Sequence, residues 1–242
     1  MQSQNQEPFV LASENALFHF NGVPVVVKPG FWPIPILLFG FLTWAAGRRR
    51  PQLSWRQRLG VALLAMPVTL VADVGHALAH TVSARMAGAP MDEILLYGGM
   101  PRTLYRNNTV PPKTHIQRAL GGPVFSLVCS MLSLLWWRRT ARGSTSHELA
   151  GASLVAHSYV LLGSLTPLPI VDGGVILKWK LVEAEQSPEQ AEQIVRKTTI
   201  GLSVAVLGLG ALFGLFGKRK LIGGLLAAGG AAGIAVGSGW LK

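Results

Sequence analysis

His76 and His80 stand four residues apart in Asp73-Val-Gly-His76-Ala77-Leu-Ala-His80, within the apolar stretch 59–87. On a helix, positions i and i+4 lie about 40° apart around the axis, so both imidazoles can reach one metal ion. The same spacing suits two buried polar residues that bond to neighbouring helices. The apolar setting weighs toward a site, because ionisable groups inside a membrane span are costly and mark function. A third donor is Asp172, in Ser164-Leu-Thr-Pro-Leu-Pro-Ile-Val-Asp172-Gly-Gly174. An unpaired carboxylate at membrane depth costs roughly 2.5–3.5 kcal/mol. A metal ion would offset that cost. Two neutral imidazoles and one carboxylate form a catalytic zinc set, in which zinc polarises carbonyls and lowers the pKa of water to about 7. Alternatively, Asp172 opens a helix and accepts from the amides of residues 174 and 175. Asp73 lies one turn before Ala77, about 6 Å back along the axis. That position suits a contact to a ring N–H of His76, a cap or a water better than it suits catalysis.

These residues need elements to carry them, and the composition says which. The chain has 242 residues, half of them apolar, with 14% charged and a mean hydropathy of +0.39. Soluble domains carry nearer a quarter charged residues, so the balance leans toward the bilayer. Six apolar stretches approach the ~20 residues that a span requires: 31–47, 59–87, 119–137, 149–182, 199–217 and 221–241. The fourth is interrupted by Pro167, Pro169, Asp172, Gly173 and Gly174. Irregular backbone at membrane depth is tolerated only where protein or water covers it, so the break itself points to an internal site. The fifth and sixth are rich in glycine and alanine, as expected of closely packed helices in lipid.

The net charge of +11 raises the possibility of nucleic acid, but the basic residues fall in short clusters beside apolar stretches (Arg48 to Arg50, Arg138 with Arg139, Lys218 to Lys220). Topology-setting charges are placed in this way, and no basic face with interleaved aromatics is present. The loop charges put the amino terminus outside. Cys129 is the single cysteine, which excludes an intrachain disulfide and a CxxC metal site. The first 20 residues show no basic region followed by an apolar core, so no cleavable signal peptide is expected.

Two segments read as extended: Gly22 to Lys28, and Ile94 to Tyr105 as two strands turning at Gly98-Gly99. Together they predict a small sheet at the membrane face within a single domain. His157 suits an interhelical hydrogen bond, while His19, His115 and His147 fall in predicted loops. Trp136, Trp137, Trp179 and Trp240 sit near span ends, where the interfacial belt accounts for them. Arg102, Arg106 and Lys113 suit lipid headgroups.

His76-Ala-Leu-Ala-His80, followed by Ala84-Arg85-Met-Ala-Gly88, resembles the HExxH motif of the site-2 protease family and the small, basic and glycine positions after it. Asp172-Gly173 with Pro167 and Pro169 resembles that family's proline-rich LDG segment. Tyr97-Gly98-Gly99 and Ala119-Leu-Gly-Gly-Pro123 resemble its GG hairpin and the start of its AGP helix. The resemblance covers roughly residues 17–217. It implies a polytopic α-helical membrane protein of about six transmembrane helices with a small membrane-associated β-sheet, spanning 1–242 as one domain whose residues 1–30 hold an edge strand. It further implies a single zinc ion on His76, His80 and Asp172, and cleavage of a transmembrane protein substrate inside a bacterial or archaeal cell membrane. The sheet would hold an unwound substrate strand, because a helical peptide bond is shielded from attack.

Two positions depart from the family pattern. Its glutamate after the first histidine is Ala77 here, and its asparagine in the second motif is Ser164. That glutamate moves a proton from the attacking water to the leaving amine, and losing such a group costs 10²–10⁴ in rate. The chain as written is therefore expected to be nearly inactive, and the intact motifs around Ala77 favour a replaced glutamate over a natural pseudoprotease. Ser164 can still offer one hydrogen bond to a substrate or oxyanion. Two rival readings are a pseudoprotease that binds transmembrane segments and an ion or proton transporter. No inverted repeat supports the transporter.

Overall fold

A computed structural model describes residues 16–98, 101–217 and 220–240. The chain is a polytopic helical membrane protein with a small mixed sheet. Among the described residues, seven α-helices and four strands follow in the order β1 (Ala16–Phe20), β2 (Val23–Val27), α1 (Pro33–Arg49), α2 (Trp55–Met86), β3 (Glu93–Leu96), β4 (Arg102–Leu104), α3 (Pro112–Arg139), α4 (Thr145–Ser164), α5 (Asp172–Glu183), α6 (Pro188–Phe216) and α7 (Lys220–Gly237). Among the described residues, five segments are long and apolar enough to cross a membrane: Pro29–Arg49, Trp55–Met86, Pro112–Arg139, Pro188–Phe216 and Lys220–Gly237. About six were expected. The fourth apolar stretch accounts for the difference, since it divides into α4 and α5, and α4 carries Glu148, His147, His157 and several serines.

The described chain forms two compact units. The first takes residues up to 108 together with 124–160. Its sheet runs in the order β1-β2-β3-β4, antiparallel at both ends and parallel between β2 and β3, where Val25 faces Ile94 in register. β1 and β2 form a hairpin closed by Asn21 (φ 51°) and Gly22 (φ 78°). A two-residue turn of this kind needs φ > 0 at both positions, which Asn-Gly adopts at little cost. The Gly22–Lys28 segment is thus an inner strand, and the edge belongs to β1, which the sequence reading left out. The expected turn at Gly98-Gly99 reaches outside the described residues at Gly99.

The sheet packs on α2. Val23, Val25, Met91, Ile94 and Leu96 bury against Ala77 and Ala84, with Val74 and Leu78 at the margin. Arg85, near the end of α2, fixes the hairpin by donating to Asn21 Oδ1 (2.7 Å) and Asn21 O (2.9 Å). This gives the basic residue after the second histidine a structural task. At its other end α2 starts in a capping box. Ser54 accepts from the Gln57 amide, and the Gln57 side chain accepts from the Ser54 amide.

The second unit takes residues 109–123 and 161 onward. Pro112 opens α3, and His115 on its first turn stacks flat on Trp179 of α5, with centroids 3.9 Å apart. His115 is therefore a buried helical residue and not the loop residue that was expected. α6 and α7 pack along glycines: a Cβ at Gly210, Gly223 or Gly230 would strike the backbone of the facing helix. Such close approach is how helices associate where lipid supplies no hydrophobic drive.

Candidate metal centre

His76 and His80 lie on one face of α2, 22 and 26 positions along its sequence run from Trp55 when Trp55 is counted as the first. The imidazoles meet edge to face, 5.0 Å between centroids, and their Nε2 atoms are 3.3 Å apart. That separation tests whether the pair fits a metal. Two nitrogens bound tetrahedrally at 2.0–2.1 Å from zinc sit about 3.3–3.4 Å from each other. The two Nε2 atoms are at that spacing.

The opposite nitrogen of His76 is held as well. Its Nδ1 lies 2.9 Å from Oγ of Ser126 on α3, and Ser126 is completely buried. With Nε2 turned to a metal, Nδ1 carries the proton and donates to the serine, which fixes both tautomer and ring orientation. The sequence offers Asp73 for this contact and carries no signal for Ser126. Asp73 makes no hydrogen bond or ion pair among the described residues. Gly75 permits the approach of α3, because a Cβ there would come within 2.7 Å of the Phe125 ring. Beyond Phe125, His157 of α4 meets that ring edge-on at 5.7 Å and buries its Nδ1 without a hydrogen-bond partner among the described residues.

Ala77 occupies the position next to His76 and is 2% exposed, inside the apolar cluster under the sheet. No group on its side chain can move a proton.

The second unit holds the other two predicted positions. Asp172 is the first residue of α5, following Val171 as N-cap. A carboxylate at a helix N-terminus is favoured by the helix dipole. The turn in front of it is tight. A Cβ at Gly173 would collide with the carbonyl oxygens of Leu165 and Thr166, and one at Gly174 with that of Leu168. Glycine at both positions is thus required by the backbone's close return, and Thr199 of α6 anchors that loop by donating to Pro167 O at 2.6 Å. Ser164 ends α4, 7% exposed, and gives its hydroxyl proton to Leu161 O at 3.1 Å.

A solved structure of similar fold is "Site-2 Protease from Methanocaldococcus jannaschii", similar over 90% of this chain and 94% of that one, with a TM-score of 0.53 and 18% sequence identity. This chain has a site-2 protease fold. At that identity the likeness establishes the fold alone. No protein-family model matches the sequence, and no curated protein matches it.

Proposed function

We propose that the chain is built as an intramembrane zinc metalloprotease and is nearly silent as written. The observation that carries this reading is the His76–His80 pair, with its Nε2 atoms at the spacing of two zinc ligands and its far nitrogen anchored by Ser126. His76, His80 and Asp172 together offer two imidazole nitrogens and a carboxylate, a donor set suited to one zinc ion. In this reading the whole chain works as one catalytic domain on transmembrane segments of membrane-tethered proteins. The histidines and Asp172 hold the metal, and Ser126 keeps His76 aimed. Ser164 contacts the substrate carbonyl once its hydroxyl turns from Leu161. The proton transfer that a glutamate performs has no agent at Ala77, so hydrolysis stalls at that step.

One observation favours a second reading. Ala77 packs with Val25 and Ile94 as a fitted part of the core, which suits a pseudoprotease that binds transmembrane segments without cutting them.

The test is zinc stoichiometry of the protein purified under metal-replete conditions. About one zinc per chain is expected, with His80→Ala and Asp172→Ala each losing it while remaining folded. No zinc in the parent, or zinc retained in both variants, overturns the ligand assignment.

A further inference from the structure

Between α1 and α2, apart from the histidine pair, lies an open cavity of about 540 Å³. Its lining has two characters. Ile36, Phe39 and Gly40 make an apolar floor, while Arg48 and Arg58 stand at one end beside Trp44 and Trp55. From Ile36 to Arg48 α1 rises about 18 Å. One leaflet's hydrocarbon is about 15 Å deep, so the groove spans it from the polar boundary inward. The tryptophans are 52% and 65% exposed, as side chains of the interfacial belt are.

The basic end is built. Arg58 lies against α1 where Gly47 leaves room, since a Cβ at Gly47 would come within 2.7 Å of its Nη1. Its Nε and Nη2 donate to Leu53 O (2.9 Å) and Pro51 O (3.0 Å), which fixes the guanidinium without neutralising its charge. Nη1 has no protein acceptor among the described residues. Arg48 sits 6.0 Å over the Trp44 ring. Between positions 48 and 58 the chain holds five arginines and no acidic residue, and among the described residues Arg50 alone of these is paired with a carboxylate, Glu148, at 2.6 Å.

We propose that this groove binds one anionic phospholipid, with its phosphate on Arg48 and Arg58 and an acyl chain along Gly40 and Ile36. An apolar trough ending in two guanidiniums matches an amphiphile with a negative head. A free phosphate would leave the apolar floor in water, and a zwitterionic lipid brings no net charge to the arginines. Basic pockets between transmembrane helices at the cytoplasmic side suit such head groups, and the loop charges place this end of α1 there.

The experiment incorporates the full-length protein into mixed phosphatidylglycerol and phosphatidylcholine vesicles, extracts it gently and weighs it by native mass spectrometry across a lipid titration. One phosphatidylglycerol per chain should be retained in preference to phosphatidylcholine. Arg48→Gln with Arg58→Gln should weaken retention about 30-fold, and Arg48→Gln alone about fivefold. Gly40→Phe should exclude the lipid while leaving the fold intact, because a Cβ at Gly40 meets open space. Thermal unfolding separates loss of lipid from loss of fold. Equal retention of the two lipids overturns the proposal, as does parent-like retention in both Arg48→Gln and Gly40→Phe. Full displacement by inorganic phosphate would reduce the site to an anion subsite and overturn the lipid assignment.

Discussion

Two faces of α2 lie side by side and obey different rules. On one, His76 and His80 turn their nitrogens together, and Ser126 fixes the outer one at 2.9 Å. On the other, Ala77 and Ala84 press against Val25 and Ile94, all nearly or fully buried. The first face spends stability to hold polar groups in an apolar surrounding. The second recovers it, since each fully buried Val or Ile contributes about 1.5–3 kcal/mol. The two faces meet at consecutive residues, so position 77 is where the chemistry of one abuts the packing of the other. A glutamate there would serve the first face and disturb the second.

Ala77→Glu puts the greatest strain on this division. It should raise cleavage of a reconstituted transmembrane peptide by 10²–10⁴ over the parent, the span that a general base supplies. It should also lower thermal stability, because a carboxylate replaces a methyl beside the sheet. Zinc-loaded, folded Ala77→Glu protein with parent-level cleavage would show that the alanine face is structural alone, and the pseudoprotease reading would then stand.

Ser126→Ala acts only on the polar face. Removing a hydrogen-bond partner behind a metal-binding histidine weakens metal affinity 10–100-fold. The zinc Kd should rise by that factor in Ser126→Ala and return toward the parent value in Ser126→Thr, while Ala77→Ser leaves it unchanged. Equal zinc affinity in Ser126→Ala and parent would mean that the 2.9 Å contact does not aim the ring.

What could be read in the sequence follows from how local each relation is. The histidine pair is fixed by four residues of one helix, so spacing alone puts both rings on one face. The broken fourth stretch was legible because prolines and an acidic residue cannot continue an apolar helix, and the structure adds why Gly173 and Gly174 are needed. Ser126 was not legible. It stands 50 residues from His76, and a serine in an apolar helix has no signature until the packing of α3 on Gly75 sets its register. β1 was missed although Asn21-Gly22 is a strong hairpin signal, because its own side chains are mostly exposed and show little apolar alternation. His115 reads as a loop residue in the sequence, where it follows Pro111 and Pro112. Pro112 in fact begins α3, the position at which a missing N–H costs nothing.

The sheet side of α2 can be probed most gently at Glu93, which lies outside the spans. It is 4% exposed on β3, and its Oε1 has no hydrogen-bond partner among the described residues. Burial raises its pKa above the ordinary 4.5, and the positive charges of Lys28 and Arg106 oppose the rise without cancelling it. A carboxyl whose folded pKa exceeds its unfolded one favours the folded state when protonated. That contribution is therefore fully present below about pH 4.5 and fades as the pH rises through the folded value. Amide exchange at Ile94 and Leu95 should accordingly quicken as the pH rises above about 4.5, after correction for intrinsic rates. Glu93→Gln should flatten that dependence while leaving zinc affinity alone. A slope unchanged in Glu93→Gln would assign the effect to another group. A change in zinc affinity would show that the two faces of α2 are coupled through the sheet.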